Sequence, residues 1–408
     1  MDLEYQRLEQ LNHSALAQLG REWMLFGHLY DRALMPQIAI RLGMDEITKV
    51  AIAEWKGASP NYTRRMRQLM AISGDDVSAI FKALQLDVGF VHEYMDVGYE
   101  IIDESHGEFW LNHCGALLDV EPQGEQMVIN MCHHIEDPTF DATAVATNPK
   151  ARIRPIHRPP RVPNGRTPHC RWELTIDPDT TSIEPDPLTL LVGALPLCDV
   201  ENNAQLDFEA SGMSDYSGPF NPNFVLEDLS HATLIAVLRE FAMQTQLLST
   251  SADLFLSERH DRDLVKEIQA AQWEGASWVS AARIARLLGV NNDIDGIIAV
   301  INCHPGFPPG VNISSTIHDQ TSASVTFQGE LLDPLAPGWL GLLANGETSA
   351  IRGIAQALDR TSQVSIEPVG AGRVAFSIDI DSGRNPVDEP ESVAFTKLST
   401  AADWTFRT

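Results

Sequence analysis

The stretch Ala53-Glu54-Trp55-Lys56-Gly57-Ala58-Ser59 recurs 218 residues later as Ala271-Gln272-Trp273-Glu274-Gly275-Ala276-Ser277. The same offset aligns Arg21-Glu22-Trp23 with Arg239-Glu240-Phe241, and Arg65 with Arg283. With small gaps, residues 115–119 align with 329–333, and 171–177 with 373–379. This internal similarity predicts a tandem duplication, and 408 residues give each copy enough chain for a buried core.

The bulk composition is that of a water-soluble globular protein. Hydrophobic residues make up 44% and charged residues 21% of the chain. A net charge of −27 argues against nonspecific nucleic-acid binding and against anionic membrane surfaces. The chain lacks a run of about 18 apolar residues, and Met1-Asp2-Leu3-Glu4-Tyr5 lacks a signal-peptide pattern. The five scattered cysteines fit a reducing cytoplasm, which is the predicted location.

Each copy is predicted to start with helices and to continue into a β-β-α-β-β unit. In copy one, apolar residues at three- and four-residue steps predict helices over roughly the first 85 residues, with Asp75 and Asp76 capping one of them. Alternation from residue 98 to 118 predicts a hairpin around residues 105–107, followed by a helix over 138–146 and strands over 152–156 and 171–176. Copy two repeats this pattern with strands over 311–317, 324–330, 363–367 and 373–380, and a helix over 349–358. The predicted fold class is therefore α+β, with the two repeats packed as a pseudo-dimer.

The predicted boundaries follow from this repeat. Repeat one spans 1–178 and repeat two 231–382, joined by a Pro- and Asp-rich connector over 179–230 and followed by a tail over 383–408. A connector of this length is typical of a lid, a strap over the partner repeat, or a disordered segment.

Cysteine and histidine side chains are concentrated in repeat one. Cys132-His133-His134 lies in a stretch interpreted as a strand, which would put Cys132 and His134 on one face and His133 on the other. His113-Cys114 and His169-Cys170 are further pairs, while Gln328 and Gly372 stand opposite Cys114 and Cys170 in repeat two.

Two chemical roles suit this set. As ligands for zinc or iron, the candidates are Cys114, Cys132, Cys170, His113 and His133. As an acid–base and nucleophilic site, Cys132 would act with His134 and Glu136. Core filling and a purely structural metal are the alternatives, because free cysteine is often buried.

A basic segment stands out in this acidic chain. It contains Lys150 and six arginines and no acidic residue up to position 171, the arginines being Arg152, Arg154, Arg158, Arg161, Arg166 and Arg171. Arginine binds carboxylate or phosphate with two parallel hydrogen bonds, so Arg152, Arg154 and Arg158 are candidates for binding an anionic substrate. Salt bridges to the connector or to repeat two are the alternative.

The tryptophan segment is shared by both copies, whereas the cysteines are not. We interpret Trp55 and Trp273 as helix-end anchors in the core, because residues that both copies keep are more plausibly concerned with the fold. Walker A, G-x-S-x-G, H-E-x-x-H and glycine-rich dinucleotide motifs are absent from the sequence, which argues against the commonest nucleotide-dependent and serine-hydrolase classes.

Residues 20–178 resemble the family of L-2-amino-thiazoline-4-carboxylic acid hydrolase-like proteins, which are small bacterial and archaeal proteins with a single copy of the unit. The resemblance is carried by Trp55, Cys114, Cys132, Pro159-Pro160, Cys170-Arg171-Trp172-Glu173-Leu174 and Asn148-Pro149-Lys150-Ala151-Arg152-Ile153. It implies hydrolysis of a cyclic, amidine-like C–N bond in a small amino acid. The chain departs from the family at Arg158, where the family has cysteine, and in its additional histidines His133, His134, His157 and His169.

Together these observations predict a small-molecule enzyme, a hydrolase or lyase acting on a carbon–heteroatom bond of an anionic substrate, with its site in repeat one. The alternatives are a non-catalytic module that binds a small molecule, metal or haem, and a structural partner subunit. The oligomeric state stays open, a homo-oligomer included.

Overall fold

The computed structural model describes residues 6–202, 211–367 and 372–407. Residues 1–5, on which the prediction about a leader rests, and residues 203–210 of the connector lie outside these ranges. Repeat one begins with helices and continues into a sheet. Its elements are α1 (Gln6–Gln10), α2 (His13–Arg41), α3 (Met44–Leu69), α4 (Val77–Leu84), β1 (Met95–Asp103), β2 (His106–Cys114), α5 (Gly115–Val120), α6 (Glu125–Ile129), α7 (Glu136–Val145), β3 (Ala151–His157) and β4 (Cys170–Ile176).

Repeat two has the same order of elements. The connector contributes α8 (Pro187–Gly193), and the repeat then comprises α9 (His231–Ser257), α10 (Arg262–Leu288), α11 (Ile294–Ile301), β5 (Asn312–Ile317), β6 (Ser322–Gln328), α12 (Trp339–Ala344), α13 (Ser349–Leu358), β7 (Ser362–Glu367) and β8 (Arg373–Ile380). The tail contributes α14 (Glu391–Thr396). The two antiparallel sheets have equivalent strand orders, β1-β2-β4-β3 and β5-β6-β8-β7. The predicted α+β class and the β-β-α-β-β unit are confirmed.

Local sequence signals set the helix starts in both repeats. The Asp76 side chain accepts a hydrogen bond from the amide of Ala79 at the start of α4, and Asp293 accepts one from Gly296 at the start of α11. A carboxylate at this position satisfies an amide that has no partner within the helix. The predicted N-cap at Asp76 is confirmed.

The repeats pack through reciprocal ion pairs on residues that the 218-residue offset aligns. Arg65 on α3 forms two hydrogen bonds with Glu240 on α9, at 2.8 and 2.9 Å. Arg283 on α10 forms two with Glu22 on α2, at 2.7 and 3.0 Å. The two ion pairs are equivalent: exchanging the repeats turns the Arg65–Glu240 pair into the Arg283–Glu22 pair, as expected at a two-fold interface. A large hydrophobic core, which includes Trp23 and Phe241, runs through both repeats, and a smaller cluster around Leu34 and Leu256 also joins them.

Two straps cross this interface in equivalent places. In the connector, α8 packs on α3 and α9, and in the tail α14 packs on α10 and α2. The glycines of the shared motif permit this close approach: a Cβ on Gly57 would lie 2.9 Å from Leu188 Cγ on α8, and one on Gly275 would lie 2.3 Å from Thr396 Oγ1 on α14. This explains why glycine occurs at this position in both copies.

Three local predictions are wrong. Residues 115–118 belong to α5 rather than to the hairpin strand, and residues 130–135 form a π-helical turn between α6 and α7 rather than a strand. In that turn Cys132 is buried, whereas His134 is exposed, so the two do not share a face. Trp55 and Trp273 lie in the interior of α3 and α10 rather than at helix ends. Short apolar runs do not distinguish a strand from a buried helical turn.

Candidate active site

Repeat one contains a cavity of about 610 Å³ between α2, α3 and the segment from α5 to α7. The tail also contributes to its wall, through Phe395, Leu398, Ser399 and Thr400. Most of the lining is apolar; its apolar members include Met35, Ile40, Met44, Ile47, Trp55, Phe90, Met127, Met131, Ile135 and Phe140. This volume is in the range of sites that hold a small organic molecule.

Ionisable side chains gather at one end of the cavity, on α2 and α5. His28 Nε2 lies 3.3 Å from Asp119 Oδ2, and the Tyr94 hydroxyl lies 3.2 Å from His28 Nε2. Arg32 Nε lies 3.5 Å from Asp31 Oδ2 and 3.6 Å from Asp119 Oδ2. Helical spacing puts His28, Asp31 and Arg32 on adjacent turns of one helix side.

Asp119 is the most heavily hydrogen-bonded of these groups. It accepts bonds from Ser399 Oγ at 2.7 Å, from the Thr400 amide at 2.6 Å and from Thr400 Oγ1 at 2.7 Å, besides the contact with His28. Burial alone would disfavour the carboxylate, but the hydrogen bond and charge of His28 and the charge of Arg32 hold the pKa of Asp119 below its usual range. Asp119 is therefore ionised and anchors the tail of repeat two to repeat one.

A further acid, Glu54, does not line the cavity but lies close to Asp31, which does. Glu54 is fully buried, and no donor within the described part of the chain reaches its carboxyl oxygens. Burial and the negative charge of Asp31 raise the pKa of Glu54 well above its usual value. The raised pKa favours the protonated, neutral form of Glu54 at this buried position. Asp31 also accepts a hydrogen bond from Trp55 Nε1 at 3.2 Å.

Glu136, the first residue of α7, lines both this cavity and a smaller neighbouring one. Burial raises its pKa to about 7, and the negative charges of Asp137 and Asp31 add to this effect, while Arg32 and Arg158 oppose it. A carboxyl group with this pKa can both accept and release a proton near neutral pH. Glu136 was predicted as an acid or base, and it is the one predicted catalytic residue that lines the large cavity.

The smaller cavity, of about 30 Å³, brings the three predicted cysteine ligands together. Cys114 from the end of β2, Cys132 from the π-helical turn and Cys170 from the start of β4 line it with His169 and Glu136. Burial raises the pKa of all three thiols, that of Cys170 to about 12. This is opposite to the lowered pKa that a thiolate nucleophile requires.

The predicted histidine ligands point elsewhere. The His113 ring donates from Nδ1 to the Tyr94 carbonyl at 2.9 Å, and His133 donates from Nε2 to the Pro159 carbonyl at 2.7 Å. Across residues 6–202, 211–367 and 372–407, no group of three or more His, Cys, Asp or Glu side chains is arranged to hold a metal ion. Zinc or iron binding at Cys114, Cys132, Cys170, His113 and His133 stays a prediction.

The predicted substrate-binding arginines make contacts within the chain. Arg154 binds Asp141 with two hydrogen bonds of 2.9 Å. Arg158 pairs with Asp137, and Arg152 donates to the carbonyls of Ala151 and Thr181. None of these three arginines lines the large cavity. Their contacts match the alternative of internal salt bridges, although the partners lie in repeat one and at the start of the connector.

The sequence contained a signal for the residues that were missed. At the 218-residue offset, Asp31 aligns with Ser249, Arg32 with Thr250 and Glu54 with Gln272. Charged residues of repeat one thus stand opposite neutral residues of repeat two, next to a motif that both repeats share. The same criterion that singled out the cysteines would have found these residues.

Fold and site together define a tandem α+β repeat protein in which repeat one carries a cavity with ionisable residues. No family model, curated protein or solved structure matches the chain. The resemblance to L-2-amino-thiazoline-4-carboxylic acid hydrolase-like proteins therefore stays a prediction. Among the residues that the structure describes, no helix combines the length and the apolar character needed to cross a bilayer.

Proposed function

We propose that the protein is a small-molecule enzyme that uses general acid–base chemistry in the large cavity of repeat one. The observation that carries this proposal is the position of Glu136. This residue lines the mostly apolar cavity of about 610 Å³, and its pKa is raised to about 7. A proton acceptor is most effective when its pKa is close to the working pH. Perturbed carboxyl groups in a cleft are typical of active sites.

In this mechanism Glu136 takes a proton and Arg32 stabilises negative charge on the substrate. The guanidinium of Arg32 lines the cavity and stays protonated: burial disfavours its charge, but Asp31 and Asp119 outweigh that effect and raise its pKa. A fixed positive charge in an apolar site lowers the energy of an oxyanion that develops during reaction. Asp119 positions Arg32, and it holds the tail segment that forms one side of the cavity.

The same residues support a hydrolase or a lyase. In hydrolysis Glu136 removes a proton from water, the water oxygen bonds to carbon, the carbon–heteroatom bond breaks, and the proton passes to the leaving heteroatom. In elimination Glu136 removes a proton from carbon, a double bond forms, and the leaving group departs with the proton. Both reactions need one proton acceptor and one positive group near the reacting centre.

A non-catalytic binding module is the second candidate, favoured by the predominantly apolar lining of the cavity. In a binding module, the bound molecule dissociates without having been chemically converted. Glu136 would then affect affinity but no chemical step.

The test compares the full chain with Glu136→Gln and with the control Glu125→Gln, which changes an exposed glutamate just ahead of it. Each protein is incubated with a library of small amides, cyclic amidines, and hydroxy and amino acids, and substrate loss and product mass are followed by mass spectrometry. Wild type and Glu125→Gln should consume the same compound, and Glu136→Gln should be slower by about 10²- to 10⁴-fold. The rate should rise with pH through about 7, where Glu136 ionises.

Product masses separate addition of water from elimination. Equal turnover by Glu136→Gln would contradict the proposal. Binding of library compounds without any turnover would favour the binding module.

A further inference from the structure

The hydrogen-bonding capacity of Arg32 is largely unused. Its Nε is buried and has no hydrogen-bond partner within the described chain. The nearest carboxylate oxygens lie 3.5 and 3.6 Å from Nε, which is too long for a normal N–H···O bond. Nη2 of the guanidinium donates to the Met131 sulfur at 3.5 Å, and a thioether is a weak acceptor.

The two carboxylates beside Arg32 are, in contrast, supplied with other donors. Asp119 accepts from Ser399, Thr400 and His28, and Asp31 accepts from Trp55. What this end of the cavity lacks is therefore an acceptor for the Arg32 donors. Nε itself is too deeply buried to be reached from the cavity, but the Arg32 side chain is 19% exposed and lines it. A ligand oxygen there accepts from the guanidinium more strongly than the Met131 sulfur does.

The charge balance decides which kind of acceptor fits. Asp31 and Asp119 already flank the guanidinium, and Glu136 adds further negative charge when it ionises. A ligand anion would enter a site whose positive charge is already matched, and it would be repelled by these acids. A neutral oxygen acceptor gains the hydrogen bonds without that repulsion.

We infer that the cavity takes a neutral carbonyl compound, such as an amide or ketone, whose oxygen accepts from Arg32 and whose apolar body lies along Met35, Met127 and Phe140. This inference rests on the proposed function and names the substrate class for the same site. It replaces the expected anionic substrate by a neutral one. It also places the electrophilic carbon of the carbonyl in the cavity that Glu136 lines.

The test uses three probes with the same alkyl body and different head groups: octanamide, octanoate and octylamine. Their affinities for the full-length chain are measured at pH 7 by titration calorimetry, which needs no variant. Octanamide should bind most tightly. Tightest binding by octylamine would mean that the acids select the ligand, and tightest binding by octanoate would restore the anionic substrate; either result, or equal affinity for all three, would overturn the inference.

A second measurement uses Arg32→Met and Arg32→Lys, with Arg286→Met at an exposed position of α10 as the control. Loss of hydrogen bonds from a charged donor should weaken octanamide binding by about 10- to 100-fold in Arg32→Met. Octylamine binding should not weaken, and Arg286→Met should bind all probes as wild type does. Circular dichroism checks that each variant is folded, and Arg32→Lys, which keeps the charge without the planar donors, should show an intermediate loss.

The outcomes separate this inference from the proposed function. If octanamide binds Arg32→Met as tightly as wild type, the substrate class is wrong but the cavity remains a ligand site. If none of the three probes binds wild type at millimolar concentration, the cavity is not a site for such molecules, and the proposed function fails with the inference.

Discussion

Trp55 and Trp273 occupy the same place in the two repeats, yet one borders a cavity and the other is buried. Trp273 is fully buried, stacks on Trp339 with 4.8 Å between ring centroids, and contacts Tyr30 at 5.0 Å. Trp55 is only half-buried, lines the cavity, and donates to Asp31. In repeat two, the side chain of Trp339 therefore packs on the tryptophan that in repeat one faces open space.

The polar residues around the two tryptophans differ accordingly. Ser249 accepts from the Trp339 amide at 3.1 Å and stands where repeat one has Asp31. Gln272 donates to the Tyr30 carbonyl at 3.1 Å and stands where repeat one has Glu54. Neutral groups can be satisfied inside a packed core, whereas buried charges need paired charges or water. Repeat two, the filled repeat, thus has neutral residues that suit a packed core. Repeat one, the open repeat, has ionisable residues beside a cavity.

The largest expected effect comes from removing each tryptophan in turn. Trp273→Ala should lower the free energy of unfolding by about 4 kcal/mol, because it leaves a void in a packed aromatic cluster. Trp55→Ala should cost less than half as much, because its ring already faces a cavity, but it should weaken octanamide binding. Urea unfolding and calorimetry of both variants measure this, and equal destabilisation would mean that the cavity is closed in solution.

The reciprocal ion pairs test what the repeats share. Arg65→Met and Arg283→Met should each lower the free energy of unfolding by about 3 kcal/mol, since each strands a buried glutamate, Glu240 or Glu22. Lys49→Met, at an exposed pair with Glu46, should change it by less than about 0.5 kcal/mol. Markedly different costs for the two arginines would show that the interface is not energetically symmetric.

Asp119 and Asp333 are aligned residues with different partners. Asp119→Ala should cost about 2 kcal/mol and loosen the tail, because Ser399 and Thr400 lose their acceptor. Asp333→Ala should cost well under 1 kcal/mol, since Asp333 is exposed and accepts a local hydrogen bond from the Leu335 amide. Urea unfolding gives both costs, and hydrogen exchange of residues 395–403 reports on the tail. Unchanged exchange in Asp119→Ala would contradict its role as the anchor.

Much of the fold could be predicted because the duplication tests each pattern twice. The strand and helix order of both repeats, the hairpin turn before His106 and the N-cap at Asp76 follow from local periodicity and capping. The π-helical turn at Asn130–Ile135 could not be predicted, because its six residues contain no turn or breaker signal and its geometry depends on packing.

The candidate site was only partly predictable. Residue type alone singled out Glu136 as an acid or base and Cys114, Cys132 and Cys170 as metal-ligand candidates; that the three cysteines line one small cavity comes from the structure. The arginines of the basic segment were misleading, because a dense run of charge does not reveal that Asp137 and Asp141 neutralise it. Arg32 is one of five charged residues on the mostly buried helix α2, and only the comparison with Thr250 marks it.

The smallest expected effect concerns the pH dependence that Glu136 gives to repeat one. The equivalent first position of α13 is Ser349, which does not titrate in this range. Folding raises the pKa of Glu136 from 4.5 to about 7, so the folded chain binds more protons between these values and stability falls as pH rises through them. Glu136→Gln removes this titration and should therefore be more stable than wild type at pH 8. The full shift corresponds to about 3 kcal/mol, but Glu136 is partly exposed, so we expect on the order of 1 kcal/mol. At pH 4, where the glutamate is protonated in both states, that advantage should vanish.

Asp87, whose pKa burial raises to about 6, titrates in wild type and in Glu136→Gln alike, so it cancels in the difference between the two. Urea unfolding of both proteins from pH 4 to pH 8, with Glu125→Gln as a control that should follow wild type throughout, measures the effect. A constant difference across this range would mean that Glu136 is not held in a desolvated environment. Repeat one would then lack the raised carboxyl pKa that distinguishes it chemically from repeat two.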